Sequence, residues 1–157
     1  MKINLQGNVA SEAVIEMDES NRNYVFRGNA VCCNDLDTLY EAIKYIGFSG
    51  NKIIVLRKQD NMDLDSFLNK YTLISDSFDP DSIYHIMSNV KLPERKNIYS
   101  IYIKASEFNY EEPLFLIEDG DNLLLDISRH VLYLYIADIE ITHRKYELMK
   151  INNILQK

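Results

Sequence analysis

The longest uninterrupted apolar run in this chain, Val131 to Ala137, is only strand-sized. A helix needs about 20 predominantly apolar residues to cross a bilayer core, so no transmembrane helix is expected. The fold has to be assembled from short elements that each bury one face. Material for a core is ample, since 46 % of the 157 residues are hydrophobic, with 11 Tyr and 6 Phe among them. A chain of this size and composition is expected to form a single globular domain over residues 1–157. The opening residues, Met1 to Gly7, hold no apolar run of signal-peptide length. The two cysteines, Cys32 and Cys33, are adjacent. Neighbouring strand side chains point to opposite faces, which disfavours a bridge between them. Reduced thiols and a cytoplasmic location are therefore expected.

With only three Pro and five Gly, turn signals are sparse, and hydrophobic periodicity carries most of the assignment. Residues 2–6, 12–17 and 23–32 read as strands. Asn34 is placed to cap a helix in which Leu36, Leu39, Tyr40, Ile43 and Ile46 recur at helical spacing, before Gly47 ends it. Lys52 to Arg57 is a short buried strand. Leu64, Phe67, Leu68 and Tyr71 form the apolar stripe of a second helix, preceded by Asp63. Asp79-Pro80 is a helix start signal, an N-cap followed by Pro at the first helical position. It assigns Ile83, Ile86, Met87 and Val90 to the buried face of a third helix.

The second half reads mainly as sheet. Residues 98–105 alternate, with Tyr99, Ile101 and Ile103 on one face. Leu114 to Ile117 and Leu123 to Leu125 flank Asp119-Gly120, a pair suited to the tip of a β-hairpin. Apolar residues at 133, 135, 137, 139 and 141 extend a strand from Val131, and a helix is assigned to 144–155. The expected class is α+β, a mostly antiparallel sheet with three to four helices grouped mainly in the first half.

Charge is distributed in blocks. Residues 1–58 balance, with seven acids and seven bases. Residues 59–90 carry six Asp against Lys70 alone, and 105–128 carry seven carboxylates and no base. The net charge is −7. A concentrated negative field repels nucleic acid and anionic membrane and speeds encounter with a basic partner.

Motifs that would carry chemistry are few. Pro80-Asp81 followed by Glu94-Arg95-Lys96 resembles the Pro-Asp…Glu-x-Lys signature of a superfamily of metal-dependent nucleases. That resemblance implies two acids on a divalent cation and a Lys stabilising charge on phosphate. The match covers five positions, and Pro93 sets Glu94 in a loop where the superfamily uses a strand. Asp60, Asp63 and Asp65, like Asp119 and Asp121, reproduce part of a calcium loop, without its central Gly and bidentate Glu. Helix capping and turn formation account for them. His85, His130 and His143 have no ligand spacing with one another or with cysteine. The chain has no nucleophile elbow and no phosphate loop.

These readings lead to a protein-binding function with no catalysis, no cofactor and no metal. A small acidic α+β domain of this kind resembles, in class and composition, bacterial immunity proteins and antitoxins. That resemblance implies a basic, nucleic-acid-targeting toxin as partner, blocked at its active site. Glu111, Glu112, Glu118, Asp119 and Asp121 are the expected contacts to its Lys and Arg residues, with Tyr110 as aromatic anchor. The alternatives are a nuclease-like enzyme using Asp81, Glu94 and Lys96, and a secretion chaperone or structural adaptor.

Overall fold

The computed structural model describes residues 1–9, 12–46, 51–58, 62–104 and 113–155. Eight strands, β1 (Lys2–Leu5), β2 (Ala13–Glu16), β3 (Val25–Cys33), β4 (Lys52–Leu56), β5 (Tyr84–Ser88), β6 (Ile98–Ile103), β7 (Asn122–Asp126) and β8 (Val131–Leu134), form one sheet in the order β1-β2-β6-β5-β4-β3-β7-β8. The two edges approach each other. Gln6, just past β1, bridges Val131, its N–H donating to His130 O (2.8 Å) and its carbonyl accepting from Leu132 N (2.9 Å). The sheet is thus a nearly closed barrel. Gly7 makes this seam possible, because its backbone, at φ +149°, packs so close to Leu132 that an added Cβ would lie 1.9 Å from the Leu132 carbonyl oxygen.

This architecture corrects the expected fold class in two respects. The sheet is mixed, because β3–β4, β4–β5 and β5–β6 pair in parallel while β1–β2, β2–β6, β3–β7 and β7–β8 are antiparallel. The helices are spread along the chain: α1 (Leu36–Glu41, running on into one π turn over 42–46), α2 (Leu64–Ser75) and the longest, α3 (Asp138–Leu155), at the C-terminal end.

Each departure has a local cause. Asp79 does not cap a helix. Its carboxylate accepts from Asp81 N (2.9 Å) and Ser82 Oγ (3.0 Å), closing a turn before β5. β5 is buried along its whole length, and a short run buried on both faces cannot be told from a helix by periodicity. Residues 113–116 form a 3-10 turn where a hairpin strand was expected. The apolar alternation after Leu134 does not mark a buried face, since Ile139 is 81 % exposed at the first turn of α3.

Two cores share the central strands. Ile53 and Val55 of β4 join Ile15, Met87, Ile101, Leu123 and Leu132 inside the barrel. Ile54 and Leu56 face the other way, onto Leu36 and Leu39 of α1 and Phe67 and Tyr71 of α2. Residues 52–56 therefore read as a continuous apolar run, as strands covered on both faces do. Leu114 of the 3-10 turn and Ile117 just after it join the barrel core.

Candidate functional site: an acidic helical layer and an arginine cleft

Of the acidic residues 118–121, Glu118 and Asp119 are exposed, while the Asp121 side chain is largely covered. Asp119 accepts a hydrogen bond from Cys32 N (2.6 Å), and Gly120 N donates to Ala30 O (2.9 Å), which docks the turn on β3. Asp121 accepts from Glu118 N (2.9 Å) and grips Arg144 of α3 at two points, Oδ2–Nη1 2.6 Å and Oδ1–Nη2 3.1 Å. Arg144 also meets Glu118 at 3.2 Å and Glu140 at 3.0 Å, and donates to Leu116 O at 2.9 Å. The hydrogen bond it donates to Asp121, helped by that to Glu140 and by the charges of Asp121 and Glu118, outweighs burial and holds the Arg144 guanidinium above its ordinary range. Of the expected contacts, Glu118 keeps a side chain 65 % exposed. Asp119 and Asp121 have structural partners. Tyr110, Glu111 and Glu112 lie outside the described residues, as does Asp60.

A larger concentration of exposed carboxylates lies on the helical layer over β3–β5. Asp35 caps α1 by accepting from Thr38 N (2.7 Å), and Asp37 and Glu41 follow on the same helix. Asp63 caps α2 by accepting from Ser66 N (2.9 Å), with Asp65 in its first turn and Asp76 at its end. Asp79 and Asp81 stand in the turn beyond. All eight carboxylates are exposed. The backbone hydrogen bonds of Asp35 and Asp63 hold both carboxyls below the ordinary aspartate range. The two helices are joined by Lys70 and Asp37 at 2.8 Å, and Arg95 meets Asp76 at 2.6 Å. The same two helices also carry exposed apolar side chains, Tyr40 on α1 and Leu64 and Leu73 on α2, the last 72 % exposed.

A second feature lies between the 3-10 turn and α3. A cleft of about 470 Å³ is lined by Asn34, Arg57, Phe115, Leu116, Ile117, Glu118 and, from α3, Glu140, His143, Arg144, Glu147, Leu148 and Ile151. Arg57 is only 7 % exposed. Its Nε donates to Asn34 Oδ1 (2.8 Å), and its Nη1 donates to the carbonyls of Ile117 (2.9 Å) and Leu114 (3.2 Å). Arg57 and Arg144 thus both donate to carbonyl oxygens of residues 114–117. No residue of α3 among those described is buried.

The nuclease-like residues lie on the segments either side of β5. Asp81 is exposed with its N–H tied to Asp79, and the Glu94 carboxyl is raised, chiefly by a hydrogen bond to Glu16. No group of three potential metal-ligating His, Cys, Asp or Glu side chains occurs among the described residues.

Burial shifts the protonation of His85, Cys32 and Cys33. His85 stacks on Phe26 (ring centroids 3.6 Å) and meets Tyr24 Oη at 2.6 Å through Nε2; burial lowers it to about 4. Burial likewise pushes the thiols of Cys32 and Cys33 up to about 11 and about 12. Both thiols are free and, at neutral pH, protonated and poorly nucleophilic.

Sequence reasoning passed over Arg57 and Arg144. A signal for Arg57 existed in its position directly after an apolar strand, where a base has to find internal partners. No helix among the described residues is long and apolar enough to cross a membrane. In comparisons with known proteins, the chain matches no family model and no curated protein.

Proposed function

We propose that the chain is a protein-binding inhibitor of a basic partner, of the immunity-protein or antitoxin type, acting in the cytoplasm. The observation that supports this reading is the helical layer. Its eight exposed carboxylates stand against three bases, Lys44, Lys70 and Arg95, and the same helices expose Tyr40, Leu64 and Leu73. Exposed apolar side chains together with an excess of one sign of charge are features that protein interfaces use, the apolar groups for affinity and the charges for encounter and selection. A basic, nucleic-acid-binding surface is the complement. The binding residues of this reading are accordingly Asp37, Glu41, Asp65 and Asp81, with Tyr40, Leu64 and Leu73. Turn residues Asp119 and Asp121 serve the fold.

The experiment is affinity capture from the native host, wild type against a variant carrying Glu41→Gln, Asp65→Asn and Asp81→Asn. One basic protein, retained at low salt by wild type and reduced with the variant, is the expected result. An unchanged set of captured proteins would remove this face from consideration.

A further inference from the structure

The C-terminal helix presents apolar side chains to water. Ile139, Thr142, Tyr146 and Met149 recur at i, i+3, i+7 and i+10 of α3, a spacing that aligns them on one face. All four are exposed, Ile139 by 81 %, Tyr146 by 62 % and Met149 by 47 %. The face toward the fold carries Glu140, Arg144 and Leu148, with Arg144 bonded to Asp121, Glu118 and Leu116 O. A surface helix ordinarily turns its charges to water. On α3 the outermost stripe holds no charge, and an exposed apolar stripe of this kind marks an interaction surface.

The groups beside the stripe indicate what it fits. Helical spacing sets His143 and Lys150 along one side of it, and Asp138 and Lys145 along the other. Two lysines and a histidine against one aspartate make this a locally basic border in a chain of net charge −7. Its complement is a surface with exposed apolar side chains and an excess of carboxylates. The molecule carries such a surface itself, the layer of α1, α2 and the turn beyond, with Tyr40, Leu64 and Leu73. We propose that the outer face of α3 docks on the helical layer of a second copy of this chain, head to tail. Tyr146 and Met149 then meet the apolar side chains of the layer, and Lys145 and Lys150 its carboxylates. A contact between two different surfaces leaves one of each open, so copies add in a row or ring instead of stopping at two. The 18 residues of α3 span only about 27 Å, so the contact is small, reversible and sensitive to salt. The inference rests on the reading of the helical layer as an interaction surface, and adds that a copy seated there competes with the basic partner.

The test is sedimentation velocity of the full chain in low salt, from about 10 µM to about 1 mM, the range in which a weak contact titrates. The average mass of wild type should rise with concentration and pass that of a dimer, and about 0.5 M NaCl should weaken the association by about tenfold or more. Tyr146→Asp breaks the stripe, and Glu41→Lys with Asp65→Lys reverses charge on the layer. Each variant alone should sediment as a monomer. Mixed, they should give a one-to-one dimer that grows no further, because each keeps the surface the other lacks. All three substitutions are at exposed side chains, and circular dichroism checks that the variants fold; the salt titration of wild type decides should one of them not. A monomeric wild type at the highest concentration, association indifferent to salt, self-association surviving in the layer variant, or a mixture that stays monomeric would each overturn the proposal. The partner reading is scored separately, since Tyr146→Asp should still capture the basic protein from the native host.

Discussion

Arg144 and Asp121 form a two-point ion pair in which each side chain is only about a tenth exposed, 10 % and 11 %. It ties the C-terminal helix to the turn that leads into β7, a contact that apolar packing does little to reinforce, since no described residue of α3 is buried. Asp121→Asn keeps the shape and removes the charge, leaving Arg144 with Glu118 and Glu140. A loss of about 3 kcal/mol is expected, the order found when one partner of a largely buried pair is removed. Glu118→Gln, at an exposed carboxylate, should change stability by no more than about 0.5 kcal/mol. Urea denaturation of the two variants beside wild type measures the contrast.

Burial keeps His85 neutral in the folded state, lowered to about 4 from 6.5. Between those values the unfolded chain binds a proton that the native state refuses. Unfolding is then favoured by acid, and stability falls as pH drops from about 6.5 toward 4. The full effect is of the order of 3 kcal/mol. His85→Phe should flatten the slope of stability against pH across this window, and urea midpoints at pH 4.5, 5.5 and 7 would reveal it. A slope unchanged in the variant would assign the effect to other groups.

Gly7 should tolerate no side chain. At φ +149°, with Leu132 O 1.9 Å from the position of an added Cβ, Gly7→Ala must open the seam between Gln6 and Val131. A loss of about 2 kcal/mol or more is expected, because clash and backbone strain act together. Gly120→Ala, where φ is +89° but nothing lies within 4 Å, should cost less, about 1 kcal/mol. Thermal melts of both variants rank them.

Charge on the helical layer should act on encounter. With a partner in hand, the Glu41→Gln, Asp65→Asn, Asp81→Asn variant is expected to slow association and flatten its salt dependence, with the off-rate little altered. A rise confined to the off-rate in stopped-flow or surface-binding kinetics would instead place these carboxylates at a desolvated centre.

The raised thiols offer a chemical check. Iodoacetamide at pH 7.5 should label Cys32 and Cys33 slowly in the folded protein and both rapidly in denaturant, because the thiolate is the reactive form. Rapid labelling of native Cys32 would contradict the burial that raises its pKa.

Local signals were readable in the sequence, and long-range ones were not. The helices at 36–46 and 64–75 announce themselves through apolar spacing and a preceding acid, although Asp35 caps the first where Asn34 was expected. The strands at 2–5, 13–16, 25–33, 52–56 and 98–103 follow their patterns closely. Strand direction depends on partners tens of residues away, so the parallel run β3–β4–β5–β6 left no local trace. The segment 84–88 is covered on both sides, which erased the alternation that would have marked it as strand. For the site, counting charges located the acidic blocks but could not reveal that Asp119 and Asp121 have internal partners. Nor could it show that Asp35, Asp37 and Glu41, hidden in a balanced stretch, stand beside the acids of α2.

The seam at Gln6 and Val131 also bears on the order in which the fold can form. Sequence neighbours can build the β3–α1–β4–α2–β5 portion early, since its contacts span short lengths of chain. The strand carrying Gln6 waits for residues 130–132 before its outer edge is satisfied. Pairings of such separation slow folding, because the closure entropy is lost before the contact is made. During synthesis, β1 therefore emerges well before residues 130–132 that complete its outer edge, and the unsealed edge is open to mispairing in the interval.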